Sequence, residues 1–414
     1  MKKKWIGFLL LTAAAVLAAV LGVRFRASQQ QEGTPPTPTA QTAPAAQAGE
    51  IRAVWIYYSE LSMQSAGGGT RADFEKKARE MTENIREAGL NTVILHVRPF
   101  CDAFYPSEIF PWSAYLTGTQ GAAVDYDPLG IFLDCAKAQG LAVQGWFNPY
   151  RVSLSQNWDA LAENNPAKIW YEAGETEHLL LTENGIYLNP ASARAQALIL
   201  DGVRELLTKY ALDAVHIDDY FYPTTDPSAD AAQYEAYKAG GGTLALADWR
   251  RENVSSFVGG LYAAVKAVRP ETQVVISPGG DIQKNYESLY ADVARWAREP
   301  GFLDVLMPQL YYGFENAARP FSETAAQWAA LPLADGVRLC FGLAAYKCGK
   351  EDKFAGTGKA EWQQHTDILS RQLALCRTLP QYSGFAVYSY SSVFSENATE
   401  NAKKEWKNLK NMLQ

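Results

Sequence analysis

Residues 214–223 read AVHIDDYFYP. Four residues suited to a strand run directly into two carboxylates, Asp218 and Asp219, and then into Tyr220, Tyr222 and a proline. A short run that is apolar at most positions is expected of a parallel strand covered on both faces. Carboxylates abutting such a strand need a wet or charged site, because burying an unpaired charge is costly. Alternation along the strand sends His216 and Asp218 to one face and Asp219 to the other until the strand breaks. The competing reading is a helix cap plus a surface ion pair.

The same grammar recurs along the chain. Runs at 52–57 (RAVWIY), 92–97 (TVILHV), 142–147 (AVQGWF), 273–277 (QVVIS), 305–311 (VLMPQLY), 338–342 (RLCFG) and 384–388 (GFAVY) bring the strands to eight. Between them lie stretches with helical spacing at 73–88, 131–138, 192–210, 249–268, 286–297 and 363–375. In the first, Phe74, Ala78, Met81 and Ile85 recur at three- to four-residue steps before Gly89. Strand and helix alternating in this way predict an α/β fold, a (β/α)8 TIM barrel with extended loops over residues 51–396, with a C-terminal helix at 397–414. An open doubly wound sheet is the alternative, but it calls for a glycine-rich fingerprint right after the first strand. Gly67-Gly68-Gly69 comes too late for that.

Composition narrows the function. The chain has 414 residues, 48% hydrophobic and 20% charged, which excludes a disordered polymer or a disulfide-stapled miniprotein. A net charge of −7 lacks the electrostatic footprint of a nucleic-acid binder. Its 11 Trp, 22 Tyr and 17 Phe fill a core and also suit a cleft that stacks on flat sugar faces. Five cysteines without CxxC spacing do not make a zinc ribbon or a full disulfide framework. Cys340 and Cys348 either pair or, the simpler reading, remain buried thiols. Four histidines with no HxH or HExxH argue against a metal centre, and no cofactor is expected.

The amino-terminal region points to a membrane. Lys2, Lys3 and Lys4 precede a mostly apolar run from Trp5 to Val23, closed by Arg24 and Arg26. As a helix this run would span roughly 28 Å, about one hydrocarbon core. It is long for a cleaved signal, so residues 1–26 are expected to act as an uncleaved anchor with the body outside, and otherwise as a signal peptide. Residues 27–50, rich in Pro, Thr, Ala and Gln, are expected to form a flexible tether.

Barrel active sites gather at the carboxyl ends of the strands, so the polar residues after each run form the candidate set. The second strand is followed by Arg98, Asp102 and Trp112, the third by Asn148, Tyr150 and Arg151 after Trp146, and the sixth by Gln309, Tyr311, Tyr312 and, farther on, Glu315. Arg98 beside Asp102 either tunes a catalytic carboxyl or ties a loop by an ion pair. Asn148 and Arg151 offer donors to a ligand or satisfy a tight turn. Tyr311, Tyr312, Trp112 and Trp146 suit a stacking wall, with core packing as the alternative. His216 and His96 read equally as core residues.

These stretches are co-linear with a known family. HVRPFCDAFYPSEIFPWS, DPLGIFLDCAKAQGLAVQGWFNPYRV, YLNP, AVHIDDYFYP, WRRENV, ISPGGDI, VLMPQLYYGFE and GLAAYK, in this order, resemble the glycosyl hydrolase-like 10 family over roughly residues 50–395. The resemblance implies a TIM-barrel hydrolase of glycans, often envelope-associated, with peptidoglycan glycan strands as substrate class. It implies a cleft holding Arg98, Asp102, Asn148, Arg151, Asp218, Asp219, Gln309 and Tyr311. This chain departs at Cys101, where relatives commonly carry glycine, and at SPGGD, where an SPFG-like turn is common.

Cleaving a glycosidic bond needs one carboxylic acid to protonate the leaving oxygen and a second carboxylate as nucleophile or base. Asp218 is the candidate carboxylate; Asp219, Asp102 and Glu315 are candidates for the acid. Two other readings remain: a barrel that binds wall glycan without cutting it, and a metal-assisted hydrolase using Asp218, Asp219 and His216.

Overall fold

A computed structural model describes residues 49–396 and 398–413. The expected membrane segment and nearly all of the tether lie outside the described residues. Glu50, assigned to the tether from sequence, instead belongs to the barrel. Its carboxylate is buried, 2.9 Å from both Nε and Nη2 of Arg377, and accepts from the Tyr382 hydroxyl at 2.6 Å.

Among the described residues eleven strands form two sheets: β1 (Ile51–Ile56), β2 (Thr92–Arg98), β3 (Ala142–Phe147), β4 (Arg151–Ser153), β5 (Leu179–Thr182), β6 (Gly185–Leu188), β7 (Ala214–Ile217), β8 (Gln273–Ile276), β9 (Val305–Leu306), β10 (Arg338–Leu343) and β11 (Tyr382–Val387). Strands β1, β2, β3, β7, β8, β9, β10 and β11 pair in parallel and close into a barrel, β11 returning to β1 from Ile51↔Gly384 to Val54↔Val387. This is the eightfold barrel expected from sequence, and each expected run supplies one of its strands.

Alternation sorts each strand. Ala53, Trp55, Ile94, Trp146, Ala214, Val275, Met307, Cys340 and Ala386 fill the lumen, while Val54, Ile56, Val93, Val143, Val215, Ile276, Phe341 and Phe385 pack outward under the helices. The amino-terminal rim is tied by polar residues placed just before strands. Asn91 accepts from Arg52 N, Asp213 from Val143 N and Asp304 from Val274 N, each at 2.7–2.9 Å. Behind β7, Arg250 and Asp230 form a fully buried forked pair, with Arg250 also donating to the Tyr290 hydroxyl.

Several expectations need adjusting. The run 305–311 is a ladder only through Leu306, because Pro308 has no N–H to donate; beyond it, Gln309 makes single bridges to Gly279 and Gly342. The expected helix 286–297 is two, Ile282–Ser288 and Val293–Arg298, parted at Tyr290 (φ 53°) and separately capped by Asp281 and Asp292. The stretch 363–375 likewise divides into Glu361–Gln364 and Ile368–Cys376. Strands β4, β5 and β6 make an antiparallel sheet in the β3–β7 excursion that the sequence reading did not anticipate. All five cysteines are free thiols, Cys340 in the lumen and Cys348 buried elsewhere.

Candidate active site

At the carboxyl ends of the strands two cavities adjoin. The inner one, about 320 Å³, sits over the lumen. Its base holds Trp146 stacked on His96, ring centroids 3.6 Å apart and 15° from parallel. An aromatic wall runs from Trp55 and Tyr57 through Tyr388 to Tyr346 and Tyr311, with Tyr388 about 6 Å from each of the others. Asn148, Arg151, Asp218 and Asp219 complete the lining. The outer cavity, about 390 Å³, lies toward β8 and is lined by Tyr187, Tyr222, Lys284, Asn285 and Tyr312, among others. Both cavities share Asp219, Tyr220, Gln309 and Tyr311.

The two aspartates reach one cleft because β7 ends at Ile217, so strict alternation stops before it can turn Asp219 away. Neither caps a helix. Trp146 Nε1 donates to Asp218 Oδ2 at 3.1 Å, and Tyr220 N approaches Oδ1 at 3.4 Å. Burial raises the Asp218 carboxyl well above the usual range and the charge of Asp219 adds to this, while Arg151, Tyr220 N and Trp146 oppose it. Asp219 is also raised by burial, against hydrogen bonds and the charges of Lys284 and Arg151. Such a pair retains a proton on one member where an isolated aspartate has lost it.

Asn148 and His96 also line the inner cavity. Asn148 Nδ2 donates to Pro99 O at 2.9 Å, and the Asn148 side chain also lies against the His96 ring. Burial, then Arg151 and Arg98, hold His96 well below its ordinary pKa, so it is a neutral ring. The Arg151 guanidinium lies over the Tyr220 ring at 4.5 Å and the Phe100 ring at 5.1 Å. Gly280 is required for the cavity wall: a Cβ there would stand 2.5 Å from Gln309 O and 2.8 Å from Tyr312 Cε2.

The structure divides the sequence candidates. Trp146, Asn148, Arg151, Asp218, Asp219, Tyr220, Gln309 and Tyr311 meet in the inner cavity, and Tyr312 lines the outer one. Asp102 does not line either cavity. It is buried beneath its own loop, accepting from Phe100 N at 3.2 Å and from Ser113 and Gln120. It forms no ion pair with Arg98, which donates instead to the carbonyls of Phe100, Asn148 and Pro149. Glu315 is also outside, its side chain 57% exposed and 3.9 Å from His365. Tyr150 packs in the core against Phe257, and Trp112 bridges Ala103 within the β2 loop. His216 is sealed in the lumen, its Nδ1 2.7 Å from Gln144 Oε1, with burial holding its pKa down to about 3. Among the described residues no group of three or more His, Cys, Asp or Glu side chains is arranged to hold a metal ion.

Sequence reasoning missed Tyr57 and Tyr58, although they follow β1 directly and the strand-end rule would have found them. Lys284, Asn285 and Tyr187 carried no such signal, because they come from a helix and from the unanticipated sheet.

Comparison with known proteins bears on what this cleft does. The chain is 31% identical over 354 residues to Glycosyl hydrolase YngK of Bacillus subtilis (strain 168), spanning 81% of this chain and 68% of that protein. It is 31% identical over 388 residues to Glycosyl hydrolase DigH of Escherichia coli O6:H1, spanning 86% of each. Among solved structures, the PgaB (BpsB) glycoside hydrolase domain from Bordetella bronchiseptica superposes with a TM-score of 0.57 at 13% identity, over 87% of this chain and 99% of that one. Alpha-L-fucosidase isoenzyme 2 from Paenibacillus thiaminolyticus gives 0.54 at 14%, over 87% and 48%. At these identities the structural likeness is one of fold. The model of the family described as Glycosyl hydrolase-like 10 matches residues 50–359; with the two relatives, it shows that the chain belongs to that family and is a glycoside hydrolase.

Proposed function

We propose that this glycoside hydrolase works outside the cytoplasm on a cell-envelope polysaccharide, the glycan strands of peptidoglycan, with Asp219 as general acid and Asp218 as its companion carboxylate. The observation that carries the reading is that Asp219 lines both cavities whereas Asp218 lines only the inner one. An acid must stand beside the oxygen that joins the two sugars, so the carboxyl at the junction suits that role. The inner cavity then takes the sugar whose anomeric carbon reacts, stacked against the tyrosine and tryptophan wall. The outer cavity takes the departing sugar.

A positive start, a long apolar run and a polar tether suit an enzyme held at a membrane and reaching into the envelope. The test is to incubate the purified chain with isolated peptidoglycan glycan strands, with and without stem peptides, and identify the products by mass. Asp218→Asn and Asp219→Asn should each lower cleavage at least about a hundredfold while the proteins stay folded. Full activity in either variant refutes its role. No cleavage of wall glycan beside rapid cleavage of another polysaccharide refutes the substrate.

A further inference from the structure

We infer that the sugar bound in the inner cavity carries a 2-acetamido group whose carbonyl oxygen, rather than a protein carboxylate, attacks the anomeric carbon. This rests on the reading of Asp218 and Asp219 as the working pair. A protein nucleophile must lie across the sugar from the leaving oxygen, so the reacting carbon sits between two carboxyl groups. Asp218 and Asp219 are consecutive residues with Cα atoms about 3.8 Å apart, and they project from one wall at the end of β7.

The opposite wall of the inner cavity is aromatic, and among the described residues no further carboxylate lines it. Other acids near the barrel mouth are committed elsewhere. Glu60 accepts from Tyr57 N, Ser391 N and the Ser389 hydroxyl. Asp281 caps the helix Ile282–Ser288 and pairs with Arg319. Asp102 is buried under its loop and Glu315 stands outside. The substrate is left to supply the nucleophile, a known variation among glycosidases.

The cavity provides what an acetamido group needs. Asp218 is held in place by Trp146 Nε1 and offers an acceptor for the amide N–H. The Trp55, Tyr57 and Tyr388 rings give the methyl an apolar surface. An N–H bonded to Asp218 favours its ionised form and leaves the shared proton to Asp219.

The carbonyl oxygen then bonds to C1 as the bond from C1 to the leaving oxygen breaks, and the Asp219 proton passes to that oxygen. Asp218 stabilises the positive oxazolinium ring through its N–H. Water next adds to C1 from the vacated side and yields its proton to Asp219. The C1 bond to the carbonyl oxygen breaks, restoring the amide and the original anomeric configuration.

The experiment pairs binding with stereochemistry. Thiazoline analogues of N-acetylglucosamine and of its β-linked disaccharide are titrated into the full chain by calorimetry, and cleavage of N-acetylated strands is followed by proton NMR. The expected results are saturable thiazoline binding that weakens at least tenfold in Asp218→Asn, retained configuration, and a fall in kcat on de-N-acetylated strands on the order of a thousandfold. Absence of thiazoline binding, inverted product, or equal turnover of de-N-acetylated strands would overturn the inference while leaving wall-glycan cleavage intact. Conversely, thiazoline-sensitive, retaining cleavage of a different N-acetylated glycan, with none of peptidoglycan, supports this inference and refutes the proposed substrate.

Discussion

Replacing Trp146 with phenylalanine isolates the support given to Asp218. The indole N–H reaches Asp218 Oδ2 at 3.1 Å in a buried setting, and its ring stacks on His96. Phenylalanine retains a ring for stacking and deletes the donor. A hydrogen bond to a charged acceptor contributes about 1.5–3 kcal/mol. If Asp218 works as a carboxylate, losing that stabilisation in the transition state lowers kcat roughly 10- to 150-fold, at 1.36 kcal/mol per tenfold. The pH profile adds a second readout. The indole favours the ionised form of Asp218. Removing it moves the acidic limb of the rate profile to higher pH, since the carboxylate now needs a higher pH to form. The assay is kcat and kcat/KM on purified glycan strands from pH 4 to 8, with urea unfolding of the variant to confirm a folded enzyme. A kcat within twofold of the parent and an unmoved limb would refute the idea that Trp146 acts through Asp218.

Three further outcomes concern acidic residues outside the two cavities. Asp102→Asn and Glu315→Gln should keep kcat/KM within roughly threefold, since neither residue lines a cavity; a hundredfold loss would return Asp102 to the reaction. Burial lifts the Asp102 carboxyl to about 6, so the folded chain holds that proton more tightly than the unfolded chain. Its stabilising effect is complete below the ordinary value of 3.8 and is lost as pH rises through about 6, so urea midpoints should show the parent losing ground to Asp102→Asn over that window. Asp230→Asn leaves the Arg250 guanidinium buried without its counter-charge and should cost about 3–5 kcal/mol of unfolding free energy; a loss under about 1 kcal/mol would refute this.

Reading strands from sequence worked because a barrel strand is covered on both faces, so runs such as 92–97 and 142–147 are apolar at most positions and buried almost throughout. The reading overran at 305–311, where the residues suit a strand but Pro308 cannot join the ladder. The adjacent aspartates were legible because two carboxylates abutting a buried strand have few inert explanations. Asp102 and Glu315 looked equivalent to them in the chain, since both are acids beyond a strand end. Only the loop path, which folds Asp102 inward and turns Glu315 outward, separates them.

By itself the sequence determined that eight strands would alternate with helices and that the chemistry would sit after them. That information is local: apolar periodicity and turn residues act over a few positions. The closure of β11 on β1, the two adjoining cavities, the lysine from the helix after β8 and the tyrosine from the β4–β6 sheet depend on contacts between residues far apart in the chain. Tertiary structure also decided which acids can meet a ligand, because access and mutual repulsion arise only when distant segments exclude water from a shared site.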